Sequence, residues 1–453
     1  MIHEHPNHQD LERPRGVGRT VGLAIGLVFY VVLTVLLSFL VAFLSTVLTA
    51  SAYAHGQIPG WLVELIAVAL GALTAVGLVM LYRRMTRKRS GAYRLGAALV
   101  TVGLSLALLV GVFVVPVAAP NTTTIKPSSM LDIGDGNKLA VYSYGPKQLP
   151  AGKSPIVFIV GGPGGSINDA SAAFLEQLAT TADVPVIAYD PLGGGSHSSH
   201  PANWVGSYTI DQEVQRAERV VDMVRDQYHT DKVALLAHSY GGSVAPRLIV
   251  KSPNKIASYV GLDVAPLYTL MANTPEELKQ QQTSNEASPG EGQFDFGQLV
   301  SKVGPFGTAR IFTSMGAGFL SGQAFGFGTG EENSQILQGA VPVGLSCTTA
   351  NFPKGATQVN QEVNYYVNKS LDVSENYIPK LKEASRGIPV LIIGAECTEK
   401  PDFSDFLPYF SDIRTVVAKK SPHAAWRSTT GLQTLLTTIP KFLNNPASVT
   451  STH

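Results

Sequence analysis

The sequence predicts an α/β chain: a mainly parallel sheet with helices on both faces, preceded by three apolar helices of membrane-spanning length. Two observations carry this. From Asp132 onward, short apolar runs alternate with helix-compatible segments, as in parallel strands joined by crossover helices. Before Pro120, three long apolar runs dominate the chain. Composition agrees. Of 453 residues, 45% are hydrophobic and 15% charged, which is apolar for a soluble protein, and the length calls for more than one structural unit. A net charge of +1 leaves no electrostatic footprint for nucleic acid.

Residues 1–20 form a polar tail with Arg13, Arg15 and Arg19 near its end. His3, His5 and His8 lie in that tail, and no Cys/His cluster in the chain has zinc spacing, so neither metal nor cofactor is expected. Residues 21–119 read as a membrane domain. Its runs 21–50, 61–82 and 95–119 each reach the roughly 20 residues that cross a bilayer. They are apolar all round, with Glu64 interrupting the second near its start, which suits lipid better than a protein core. A signal peptide cleaved near Ala52-Tyr-Ala54 is the rival reading. The first run is too long for it, and two further spans follow.

Residues 120–131 are a Thr/Pro/Ser-rich linker. The segment 132–265 then reads as the first part of an α/β core. It holds a hairpin around Asp135-Gly136, strands at 154–160 and 184–189, and an amphipathic helix over 210–228 with Val214, Ala217, Val221 and Val224 on one face. Residues 266–387 break the alternation and are rich in Gly and Phe between Phe294 and Phe327, as a cap inserted between two core strands would be. The core resumes over 388–445, with strands at 388–394 and 413–418 and a closing helix from Gly431 to Leu443. A short tail, 446–453, ends the chain.

The chemistry centres on Val233 to Pro246. An apolar run ends abruptly at His238-Ser239-Tyr240-Gly241-Gly242, and a helix-compatible run follows at once. Strand, sharp turn and helix with a serine at the corner is the form of the nucleophile elbow of α/β-hydrolases, which needs small residues two before and two after the serine. Those are Ala237 and Gly241. A serine nucleophile needs a base, which in this fold comes last in the chain. After Ser239 the only histidines are His423 and the terminal His453, so elimination selects His423. Backbone N–H donors for the oxyanion are expected from Tyr240 and from Gly162 in the glycine loop Gly161-Gly162-Pro163-Gly164-Gly165. That loop lacks the Lys-Ser/Thr ending of a phosphate-binding P-loop.

These motifs resemble the prolyl aminopeptidase (proline iminopeptidase) family of α/β-hydrolases. The family's H-G-G-P-G loop corresponds to residues 160–164, with Val160 in place of His. Its D-Q-L-G or D-Q-R-G segment corresponds to Asp190-Pro-Leu-Gly193, its elbow to Ala237–Gly241 and its closing histidine to His423. The resemblance covers roughly 133–443 and implies a capped serine hydrolase acting on peptide N-termini. The family's G-x-x-D-x-x-x-P segment falls on Gly394–Pro401, which puts Cys397 where the acid belongs. A thiol cannot orient an imidazole and stabilise its cation as a carboxylate does. Glu396, adjacent, and Asp263, at the end of the strand after the elbow, are the two local substitutes, and both stay open.

Three readings follow. The first is a membrane-anchored serine peptidase that removes N-terminal residues, proline among them, from peptides outside the cell. The second is an esterase or lipase on the same residues. The third is an inactive, hydrolase-like binding module. The partners expected are a small peptide or ester substrate and the lipid bilayer; the sequence carries no signal for oligomeric state. Cys347 and Cys397 would both lie outside the membrane, where a disulfide between them would persist.

Charge sets the expected orientation in the cell membrane. Arg83, Arg84, Arg87, Lys88, Arg89 and Arg94 surround the loop between the second and third runs, whereas residues 51–60 hold no Lys or Arg. The positive-inside rule places the N-terminus and the basic loop in the cytoplasm and everything from about Pro120 outside. A reporter that is active only in the cytoplasm should therefore be silent when fused after His453, and activity there would contradict the topology.

Overall fold

A computed structural model of the chain describes residues 17–87, 89–115, 125–134, 136–195, 198–199, 207–264, 296–321, 367, 370, 376–396, 403–404 and 406–451. It divides into two compact units: Met1–Thr49 with Trp61–Val115, and Ala50–Gly60 with Pro116–His453.

The first unit is helical: α1 (Val17–Ala54), α2 (Gly60–Met85) and α3 (Gly91–Phe113). All three are long and apolar enough to cross a membrane. α1 and α2 extend past their apolar runs at both ends, whereas α3 starts before its run and ends at Phe113. In α2 the buried positions are Val63, Ala67, Gly71, Ala75 and Val79, one stripe at four-residue spacing. Small residues on that stripe let the backbones approach. A Cβ on Gly71 would lie 2.9 Å from the carbonyl oxygen of Ser38 and equally close to Leu109. The rings of Tyr30 and Tyr82 stack at 3.9 Å.

The second unit is built on an eight-stranded sheet among the described residues. Its strands are β1 (Ser129–Gly134), β2 (Asn137–Tyr144), β3 (Ile156–Ile159), β4 (Val186–Tyr189), β5 (Val233–His238), β6 (Ile256–Leu262), β7 (Val390–Ala395) and β8 (Ile413–Ala418). Their spatial order is β1-β2-β4-β3-β5-β6-β7-β8. β1 and β2 form the predicted hairpin and pair antiparallel, and β2 joins β4 antiparallel. From β4 through β8 every pairing is parallel. The α/β fold expected from the alternation is present.

The connections are helices α4 (Asp169–Ala182), α5 (Ile210–Tyr228) and α6 (Gly241–Lys251), and α9 (Thr429–Asn444) closes the chain. Between β6 and β7 lie α7 (Phe296–Ser321) and α8 (Ile378–Ala384). α7 is two helices meeting at Gly304, where φ is +73°, just before Pro305, which disfavours helical backbone at the preceding residue. It lies in the stretch read as a cap.

Alternation along the strands sends successive side chains to opposite faces. Phe158, Ala234, Leu236, Val260 and Leu391 join one core cluster with Phe174 and Leu178 of α4 and Leu435, Ile439 and Phe442 of α9. Fully buried aromatic side chains of this kind contribute roughly 1.5–3 kcal/mol each. On the other face, Val214, Ala217, Val221 and Val224 of α5 are buried, as their spacing predicts. The helix starts are capped by Asn168, Thr209 and Ser428, whose side chains accept backbone N–H groups of α4, α5 and α9.

β3 sends its crossover through α4 to β4 on one side, and the chain then returns through α5 to β5 on the other side of β3. This makes β3 and β5 the switch point of the sheet, the place where open parallel sheets leave a crevice at their carboxyl ends. The glycine loop leaves β3 and Ser239 follows β5, so both fall at that crevice.

The turn there tolerates little added volume. A Cβ on Gly241 would lie 2.6 Å from the carbonyl oxygen of Ile159, a backbone atom that cannot swing aside. Gly241→Ala should therefore destabilise the protein by about 1–3 kcal/mol. A thermal melt of the full chain in detergent should show a lowered midpoint, and an unchanged one would refute this packing.

Candidate active site

Ser239 has φ of +51°, a left-handed conformation that a residue with a side chain adopts at a cost. The turn is held by the Ser239 N–H donating to the carbonyl of Leu262 on β6 (3.1 Å) and by the Gly242 N–H donating to the Ser239 carbonyl (2.9 Å). The glycine loop packs directly on it. A Cβ on Gly161 would lie 2.8 Å from the Ser239 Cβ.

Asp263 follows β6 in a second left-handed turn, with φ of +43°. Its N–H donates to the Ile393 carbonyl (2.7 Å), and its Oδ1 accepts from the Ala395 N–H (2.9 Å), so β7 fixes both its backbone and its carboxylate. Its Oδ2 lies 2.6 Å from Nδ1 of His423. The two residues are 160 apart in sequence and come together because β6, β7 and β8 are neighbours. Glu396 goes elsewhere: its Oε2 accepts the Lys420 N–H at 2.7 Å, which ties the end of β7 to the turn after β8. Of the two carboxylates the sequence left open, the structure brings Asp263, not Glu396, onto the imidazole.

With Nδ1 engaged by Asp263, Nε2 is the nitrogen of His423 left to exchange a proton with another group. Gly162, with φ of +65°, and Tyr240, at the N-terminus of α6, sit in the two turns flanking the crevice. Neither amide donates to a backbone acceptor among the described residues. At a helix start the first amides have no intrahelical partner and suit a developing negative charge.

Asp190 anchors the glycine loop. Its carboxylate is buried and accepts from the Ile167 N–H (2.6 Å) and the Tyr142 hydroxyl (2.7 Å). Burial pushes this carboxyl up to about 7, although both hydrogen bonds oppose the shift.

Two residues that sequence reasoning passed over also belong here. His238, just before Ser239, is buried and touches His423. Glu213 lines a small recess with Gly162, Pro191, Tyr189, Tyr240 and Val244. Its carboxylate pairs with Arg216 at 2.7 Å, and burial still pushes it above the usual range. A sequence signal for Glu213 existed: it lies on the same helical stripe as Ile210, Val214 and Ala217, the face that turns inward. Cys347 and Cys397 lie outside the described residues, as do Glu276, Glu277, Glu286, Glu291, Glu331, Glu332 and Glu362 of the stretch read as a cap, the carboxylates there that could pair with a substrate ammonium group.

The model of the α/β hydrolase fold family matches residues 154–299, a span holding Gly162, Ser239, Tyr240 and Asp263. The proline iminopeptidase of Heyndrickxia coagulans is 30% identical over 112 residues, 24% of this chain and 34% of that protein. The proline iminopeptidase of Lactobacillus delbrueckii subsp. lactis is 34% identical over 93 residues, 20% and 30% of the two chains. The chain thus spans about a third of the length of the curated relatives it matches. Among solved structures, Est1E from Butyrivibrio proteoclasticus with bound ferulic acid is 15% identical with a TM-score of 0.42, covering 71% of this chain and 100% of that one. The proline iminopeptidase of Mycobacterium smegmatis is 16% identical with a TM-score of 0.40, covering 70% and 97%. The fold is that of an α/β-hydrolase.

The raised Asp190 carboxyl has a consequence for stability. Below pH about 4 it is neutral in both the folded and the unfolded chain. As pH rises from there through about 7, the unfolded chain ionises this group first, so folding loses stability. In Asp190→Asn that loss, up to about 4 kcal/mol, should vanish. Melting curves of the two proteins between pH 4 and 8 should therefore converge at the acid end and diverge at the alkaline end in favour of the variant. Parallel curves would contradict the assignment.

Proposed function

We propose that this chain is a membrane-anchored serine hydrolase that removes N-terminal residues, proline among them, from peptides outside the cell. The observation that carries the reading is the 2.6 Å contact of Asp263 with His423 beside a serine in a left-handed turn after β5. Ser239 is the nucleophile, His423 the base and Asp263 the group that orients it. Ser239 Oγ attacks the scissile carbonyl while His423 Nε2 takes its proton. The N–H groups of Gly162 and Tyr240 receive the oxyanion. The tetrahedral intermediate expels the leaving amine, which takes the proton from His423. Water then repeats the sequence on the acyl-enzyme, and Ser239 recovers its proton. The anchor is α1 to α3, with the hydrolase unit outside.

The peptidase reading rests on the Gly-Gly-Pro-Gly loop and the partial similarity to proline iminopeptidases. An aminopeptidase must hold a free α-ammonium group, which calls for a carboxylate near the crevice. The esterase reading draws on the apolar side chains Ile159, Val160, Pro191 and Val244 beside the crevice, a surface that an acyl chain would suit. A panel of aminoacyl amides, their N-acetylated forms and simple acyl esters separates the two. The peptidase should prefer the free amine by a factor on the order of 10² over the blocked form. Equal turnover of blocked peptides or esters would transfer the chain to the esterases.

The roles of individual residues are tested on the best substrate of that panel. Ser239→Ala and His423→Ala should each lower kcat by about 10⁴ or more, with folding intact. Asp263→Asn should cost far more than Glu396→Gln. The reverse ranking would move the orienting role to Glu396.

A further inference from the structure

We infer that His238 is a positioning residue, an imidazole that locks the backbone of the loop carrying His423 to the strand leading into Ser239. The inference rests on the proposed roles of Ser239 and His423.

Three contacts support it. His238 Nε2 lies 3.1 Å from the carbonyl oxygen of His423, 185 residues away in sequence. Its ring lies 4.7 Å from the His423 ring and 4.6 Å from Trp426, which it meets edge to face. On its other side, a Cβ on Gly161 would lie 2.7 Å from His238 Nδ1. One side chain therefore touches the base loop and the glycine loop, while its own backbone leads directly into Ser239.

The position follows from the strand. Ala234 and Leu236 of β5 face the cluster that includes α4 and α9, and alternation sends His238 the same way. There it meets Trp426, whose ring stacks on Phe174 of α4 at 5.3 Å. An apolar residue at 238 would fill this space, but the His423 carbonyl would then lose its donor.

The carbonyl can only accept, so Nε2 must carry the hydrogen, and Nδ1 is left with the lone pair. Burial, and then the nearby His423 and Arg427, hold the imidazole well below its ordinary range and keep it neutral. The titratable and charged groups around it are His423 and Arg427 on the loop after β8, with Asp263 beyond the His423 ring. A neutral neighbour matters to the chemistry. When His423 takes the serine proton it becomes a cation, and a second cation against its ring would oppose that step.

The test compares two side chains of similar length on the full chain in detergent, read by the second-order rate of labelling with a fluorophosphonate. His238→Gln keeps an N–H donor, whereas His238→Met does not. The methionine variant should label about 10- to 100-fold more slowly, the range expected when a buried acceptor loses its donor. The glutamine variant should recover most of that rate. Methionine at the wild-type rate, or glutamine no faster than methionine, would overturn the inference. His238→Leu replaces the methionine variant should the latter fail to fold. Ser239→Ala distinguishes the failures: labelling that survives this change sinks the proposed nucleophile, not the role of His238.

Discussion

The left-handed turn at Ser239 is the constraint on which the rest of the second unit depends. A serine with φ of +51° needs close neighbours that hold it there, and each neighbour is itself restricted. Gly241 has no room for a side chain against β3, and Gly242 none against Val264. Gly161 must pass within contact distance of Ser239. The hydrogen bond from Ser239 to Leu262 ties the turn to β6, whose next residue is Asp263. Backbone geometry thus links the proposed nucleophile to the proposed orienting carboxylate through one strand pair.

Placing the carboxylate after β6 rather than after β7 changes what β7 has to do. In this chain the end of β7 donates the Ala395 N–H to Asp263, and Glu396 reaches across to the backbone of Lys420. One of these contacts steadies the carboxylate and the other steadies the loop leading to His423. The stretch where the resembled family keeps its acid therefore still serves the same imidazole, through hydrogen bonds instead of a charge.

Much of this was legible in the sequence. The elbow and the glycine loop could be read because each needs particular residue types at fixed spacing, His423 because so few histidines follow Ser239, and helix 210–228 because four valines and alanines fall on one face. The acid was not legible. Asp263 and Glu396 both lie at strand ends, and choosing between them requires knowing which points toward His423, which depends on strand order and on a left-handed turn at a non-glycine residue. His238 was hidden for a related reason: its partner is a backbone carbonyl 185 residues away, and a carbonyl has no sequence signature. Glu213 was harder to read because an acidic residue in a first helical turn is ordinarily a partner of the helix dipole rather than a buried group.

The most direct measurement is the site of covalent modification. The full chain is treated with a fluorophosphonate, digested, and its adduct mapped by mass spectrometry. An activated serine in this geometry should carry one phosphonyl group, on the peptide containing Ser239 and on Ser239 itself. An adduct on another residue, or none on a folded protein, would contradict the account.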